Sequence, residues 1–137
     1  MNIPRRLDLV LPALLALAQP GSAPVRGDPE HGRYLAERVA MCVECHSPRD
    51  ERGGLVDARR YLGAPIPVTR PPWAGEWAEQ APRIGGLPGY DDTRAIRLLT
   101  EGSIGRDGRP LRRPMPTFRM SKEDAADVIA FLRDVRE

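Results

Sequence analysis

Cys42–Val43–Glu44–Cys45–His46 holds both cysteines of the chain and one of its two histidines. Two thiols at i and i+3 lie on one helical face. From there each can add to one vinyl group of the same porphyrin. A histidine directly after the second thiol is then held beneath the ring, where its imidazole reaches the iron. C-x-x-C-H at this spacing therefore points to covalent attachment of one haem c through Cys42 and Cys45, with His46 as an iron ligand. A redox dithiol needs a strand–turn–helix setting, and nothing before Cys42 reads as a strand. A zinc site needs four ligands, and His31 is the one histidine left to complete it.

A second axial ligand is sought among the methionines. Met115 sits in Arg113–Pro114–Met115–Pro116, where flanking prolines stiffen the loop and reduce the entropy lost on ordering it. Such a position suits a weak thioether ligand, and it is far enough downstream of His46 to reach the opposite haem face. Met120 precedes Ser121–Lys122–Glu123–Asp124, close to a capping-box pattern, and so reads as a hydrophobic staple onto Ala125. Met41, next to Cys42, reads as packing, and His31 as a surface histidine. A ligating imidazole usually donates its other N–H to a carbonyl, and Pro48 and Pro65 lie in loops able to supply one.

Three helices are expected to position these groups. Asp28 caps a first helix with Pro29 at its first position. Leu35, Val39 and Cys42 form one face of that helix, which delivers the motif at its C-terminal end. Asp91 or Asp92 caps a second helix, whose apolar side is Ala95, Ile96, Leu98 and Leu99; Gly102 ends it. The last runs from about Lys122 to Val135, with Val128, Ile129, Phe131, Leu132 and Val135 as its stripe. Gly32 marks a close helix contact, with Phe131 the expected partner. Residues between the motif and the second helix read as loops, with Leu62, Ile66, Val68, Trp73 and Trp77 available to cover a haem edge.

The N-terminus carries an export signal. Arg5 and Arg6 precede an apolar run from Leu7 to Ala18, and Ala16–Leu17–Ala18 matches a cleavage site. The run is shorter than the roughly 20 residues of a membrane span. Residues 1–18 are thus expected to be a signal peptide, with cleavage as late as 23, and 24–137 one domain exported to the periplasm. Membrane attachment is expected only if the segment stays uncleaved.

The chain has 137 residues, 13 glycines, 15 prolines and 5% aromatic residues, which suits one small turn-rich core helped by a buried cofactor. A net charge of +2, with no basic run interleaved with aromatics, excludes nucleic acid binding as a reading. Arg106, Arg109, Arg112, Arg113 and Arg119 cluster around Met115, with Asp107 opposing them. They suit haem propionates or an acidic partner, or else form a solvated loop.

Residues 28–137 resemble the class I c-type cytochromes: a capped first helix with Gly32, CVECH, a loop-rich middle, a short helix, Met115–Pro116 and a last amphipathic helix with Phe131. Glu37–Cys42 and His46–Asp50 are similar to small cytochrome domains that accompany periplasmic dehydrogenases. The sequence departs from the best-known members after the motif, where Gly63–Ala64–Pro65–Ile66 is the nearest match to Gly-Pro-x-Leu. The resemblance implies an all-α fold, about three main helices and long loops around one covalently bound haem. It implies His46/Met115 ligation and one-electron transfer with redox protein partners, a dehydrogenase or a terminal oxidase, with no catalytic residue. The competing readings are a haem enzyme or gas sensor with an open sixth position, and a fixed cytochrome subunit of a larger oxidoreductase.

Overall fold

The computed structural model describes residues 26–102 and 104–136, so the expected signal segment lies outside the described residues. The architecture is all-α apart from one two-residue strand pair. Helix α1 (Pro29–Tyr34) starts as expected, with the Asp28 carboxylate accepting from the N–H groups of Glu30 and His31. It then widens into a π turn over Leu35–Val39, closed by Ala40 N–H donating to Leu35 O at 2.7 Å.

The first helix does not run unbroken into the motif. Met41 adopts φ 56°, which ends the π turn and restarts the chain as α2 (Cys42–His46). Two expectations fail with that break. Val39 is 57% exposed and Met41 48% exposed, so neither packs in the core. Sequence periodicity assumes 3.6 residues per turn, and one π turn followed by a left-handed residue rotates everything after it out of register.

Helix α3 (Asp92–Glu101) is capped by Asp91, whose side chain accepts from Arg94 N–H, and it stops at Gly102. Helix α4 (Lys122–Asp134) is capped by Ser121, whose hydroxyl accepts from Asp124 N–H. Ala125, Val128, Ile129 and Leu132 of α4 meet Leu35, Ala36 and Val43 from the first part of the chain and Ala95 and Leu99 of α3. Met120 packs against the edge of this core, and its N–H donates to Leu99 O at 3.0 Å. No described helix is long and apolar enough to cross a membrane.

Gly32 sets how closely α1 and α4 cross. A Cβ there would lie 1.9 Å from the Asp127 carbonyl oxygen, so backbone meets backbone. Phe131 is not its partner; that ring meets Tyr61 edge-on, with centroids 5.5 Å apart. Beside the crossing, His31 Nδ1 lies 2.7 Å from Asp127 Oδ2, and Asp127 Oδ1 accepts Asp28 N–H at 2.6 Å. The bond between His31 and Asp127 raises the His31 pKa. Burial pulls Asp127 upwards, but the bonds from His31 and Asp28 outweigh it and lower its pKa. His31 is thus exposed, as expected, and is paired across the helix crossing.

Gly32→Ala is expected to force the crossing apart. The helix-propensity gain of about 1 kcal/mol is outweighed by a backbone clash, for a net loss of about 2–3 kcal/mol. An equilibrium denaturation curve of the haem-loaded protein checks this.

The loops are held by backbone pairing absent from the sequence reading. Strands β1 (Ala64–Pro65) and β2 (Gln80–Ala81) pair antiparallel, Ala64 opposite Ala81 and Pro65 opposite Gln80. Single bridges join Arg49 to Leu55, Trp77 to Arg113 and Ile104 to Pro110.

Candidate haem-attachment site

Helix α2 brings Cys42, Cys45 and His46 together within little more than one turn. Cys42 is buried, Cys45 half-buried, and His46 only 5% exposed. Glu44, between the thiols, pairs with Arg49.

The His46 ring is fixed by one hydrogen bond: Nδ1–H donates to the Pro82 carbonyl at 2.7 Å. Neither Pro48 nor Pro65 supplies that carbonyl. The donor bond places the ring's lone pair on Nε2, which makes no hydrogen bond among the described residues. Burial holds the imidazole below its ordinary pKa, partly opposed by the Pro82 carbonyl, which favours the neutral ring that metal binding requires.

Pro82 is itself held by a closed circuit. Ser47 follows His46 and is 2% exposed; its Oγ accepts Tyr61 N–H at 2.9 Å. Tyr61 O accepts the N–H groups of both Ile84 and Gly85 at 3.0 Å. Gly86 N–H donates to Leu132 O at 2.8 Å, and Arg133 reaches back to Gly86 O and Tyr90 O. The 82–87 turn is therefore clamped to the end of α4, and the carbonyl aimed at His46 cannot drift independently of the core. Sequence reasoning missed Ser47, Tyr61 and Pro82. The signal was present in Pro82–Arg83–Ile84–Gly85–Gly86–Leu87, a proline, a spacer and an apolar residue before paired glycines, but it lies 36 residues from His46.

The donor set fits a covalent haem c. The two cysteines form no disulfide with each other. Burial pushes Cys42 up to about 11 and raises Cys45 as well, the opposite of the depressed thiolate of a redox dithiol. Cys42, Cys45 and His46 do not converge on a common metal position; among the described residues the one such grouping is His31, Asp124 and Asp127. Two thiols and an imidazole spread along one face match a wide planar ligand better than a bare ion. The Tyr61 hydroxyl adds an independent sign. It is buried with no hydrogen-bond partner, although a buried phenol normally finds one, and its ring packs in the same core cluster as Cys42. Burial, with the nearby Glu37 charge, raises its pKa, so it is a donor awaiting an acceptor.

No protein-family model and no curated protein matches this chain. Among solved structures it is similar to cytochrome c2 from Rhodobacter sphaeroides, at 17% identity and a TM-score of 0.41, covering 80% of this chain and 96% of that one. It is also similar to a variant of ferric cyt c-550 from Paracoccus versutus, at 17% identity and a TM-score of 0.34, with the same coverage. At this identity and superposition neither likeness bears on the chemistry, which is read from the residues themselves.

Met115 is half-buried in a loop anchored at both ends. Before it, Ala78 N–H donates to Arg113 O at 2.7 Å; after it, Met120 is tied to Leu99. Arg106, Arg109, Arg112 and Arg113 are exposed around this loop. Arg119 leaves the cluster, since its guanidinium donates to the carbonyls of Glu101 and Phe118. An open cleft of about 720 Å³ beside the loop is lined by Arg109, Arg112 and Arg113, with Glu76 and Asp107 facing them. None of Cys42, Cys45 or His46 lines it. Of the apolar residues expected to cover a haem edge, Trp73 is 77% exposed and Val68 51% exposed, while Leu62, Ile66 and Trp77 are half-buried.

Proposed function

We propose that this chain is a class I c-type cytochrome that carries one electron through a single covalently attached haem. The observation that carries this reading is the buried His46, its Nδ1–H held by Pro82 and its Nε2 left for a metal, directly after the second of two unbridged cysteines on the same short helix.

Each residue then has a role. Cys42 and Cys45 would hold the haem by thioethers, each S–H adding across one vinyl C=C, sulfur to one carbon and hydrogen to the other. His46 Nε2 would ligate the iron, and the Pro82 carbonyl increases the imidazole's basicity. Met115 Sδ would supply the second protein ligand to the iron, helped by the anchored, proline-flanked loop. When bound, haem supplies reversible one-electron exchange, and a His/Met pair raises its potential relative to other ligand sets. The packed α1–α4 core and the clamped 82–87 turn exclude water and keep the ligands still between oxidation states. No side chain is assigned to bond-making chemistry on a substrate.

The electron partners are redox proteins, a dehydrogenase or a terminal oxidase. The exposed arginines around Met115 and the exposed Trp73 support a docking face for an acidic partner surface. The charged start and apolar run of residues 1–18 support export to the periplasm, where thioether attachment takes place.

Redox titration followed by carbon monoxide exposure tests the reading. The haem-loaded protein should titrate as a single one-electron wave, and its ferrous form should leave the gas unbound. Stoichiometric uptake of carbon monoxide by the wild-type protein would overturn the carrier reading in favour of a gas-binding or enzymatic haem.

A further inference from the structure

The carbonyl that holds His46 and the bond that holds the Met115 loop belong to one short piece of backbone. Going back from Pro82, β2 pairs with β1, and Ile66 N–H donates to Glu79 O at 2.9 Å. Trp77 then bridges Arg113 in parallel, and Ala78 N–H donates to Arg113 O at 2.7 Å. The middle of this strap is tied to the motif as well, because Gly63 N–H, next to β1, donates to His46 O at 2.9 Å. Residues 77–82 thus hold the imidazole at one end and, at the other, the chain two residues before Met115.

We propose that the Ala78–Arg113 hydrogen bond makes the 77–82 strap a positioning element for Met115, coupling the hold on the thioether to the hold on His46. This rests on the reading of Met115 as the second axial ligand. A thioether binds iron weakly, so its occupancy depends on how tightly the protein confines it. Anchored at Arg113 and Met120, Met115 swings on a tether of about seven residues; released from Ala78, the tether reaches back to the end of α3, about 18 residues. Loop-closure scaling alone then lowers the local thioether concentration by about fourfold.

Ala78→Pro tests this, because it removes the N–H while leaving Trp77 extended, as a residue before proline prefers. Ala78→Gly keeps the N–H and serves as the conservative control. In the ferric haem-loaded protein, imidazole should bind at least about fourfold more tightly to Ala78→Pro than to wild type, with a weakened far-red methionine–iron band. Ala78→Gly should stay within about twofold of wild type. Wild-type imidazole affinity in a folded Ala78→Pro protein would overturn the proposal.

A second measurement needs no variant at this position. Coupling is reciprocal, so displacing Met115 from wild-type protein with saturating imidazole should speed amide hydrogen exchange at Ala78. Equal Ala78 exchange with and without imidazole would also overturn it. Met115→Ala separates the two failures. If that variant binds imidazole no more tightly than wild type, the ligand assignment falls and takes this inference with it. If it binds far more tightly while Ala78→Pro matches wild type, the ligand stands and only the strap's role is lost.

Discussion

Met115→Ala should abolish the weak far-red band of the oxidised protein, lower the reduction potential and let the ferrous form bind carbon monoxide. On the proposed ligation the thioether would stabilise the reduced iron, and water in its place would favour the oxidised state. Axial ligands set haem potentials over a range of about 0.8 V, and loss of one methionine should move this one down by on the order of 100 mV. Folding should change little, because Met115 is only half-buried and stands outside the core cluster of Leu35, Val43, Leu99, Val128 and Ile129. A far-red band that survives in Met115→Ala would remove Met115 from the iron. Met120 would not inherit the role readily, since its backbone is bonded to Leu99 and its side chain packs at the core edge.

Replacing Cys42 and Cys45 together by alanine should remove haem from the denatured polypeptide entirely. Haem staining on a denaturing gel reads this directly. Each single variant should retain stain, because one thioether suffices to survive denaturation. The folded state should also suffer. Cys42 is buried against Val43 and Tyr61 in the main cluster, and a small core depends heavily on the group it encloses. Stain retained by the double variant would contradict covalent attachment through these two sulfurs.

Local chemistry explains which features could be read in advance. Asp28, Asp91 and Ser121 act as caps because a short polar side chain before a helix satisfies orphan N–H groups whatever else surrounds it. The stripe on α4 is legible because its period follows helix geometry over 13 residues. The break at Met41 was not legible: a non-glycine residue at φ 56° is unfavourable by itself and persists only where surrounding contacts impose it. Gly32 announced a close approach, but not that the Asp127 carbonyl rather than Phe131 would fill the space.

The site divides in the same way. Cys42, Cys45 and His46 are neighbours in the chain, so their types and spacing alone point to the proposed attachment chemistry. The proline-flanked Met115 was equally visible as a candidate. Which carbonyl fixes His46, and what fixes that carbonyl, is decided by Pro82, Tyr61, Ser47 and Arg133, which are scattered along the chain. Their backbone and side-chain bonds depend on where distant segments lie in space, and no local pattern encodes that. The sequence by itself determined what can be bonded to haem. Tertiary structure alone decided how the imidazole is aimed and how the loop carrying Met115 is tethered, because both depend on hydrogen bonds between segments that only folding brings together.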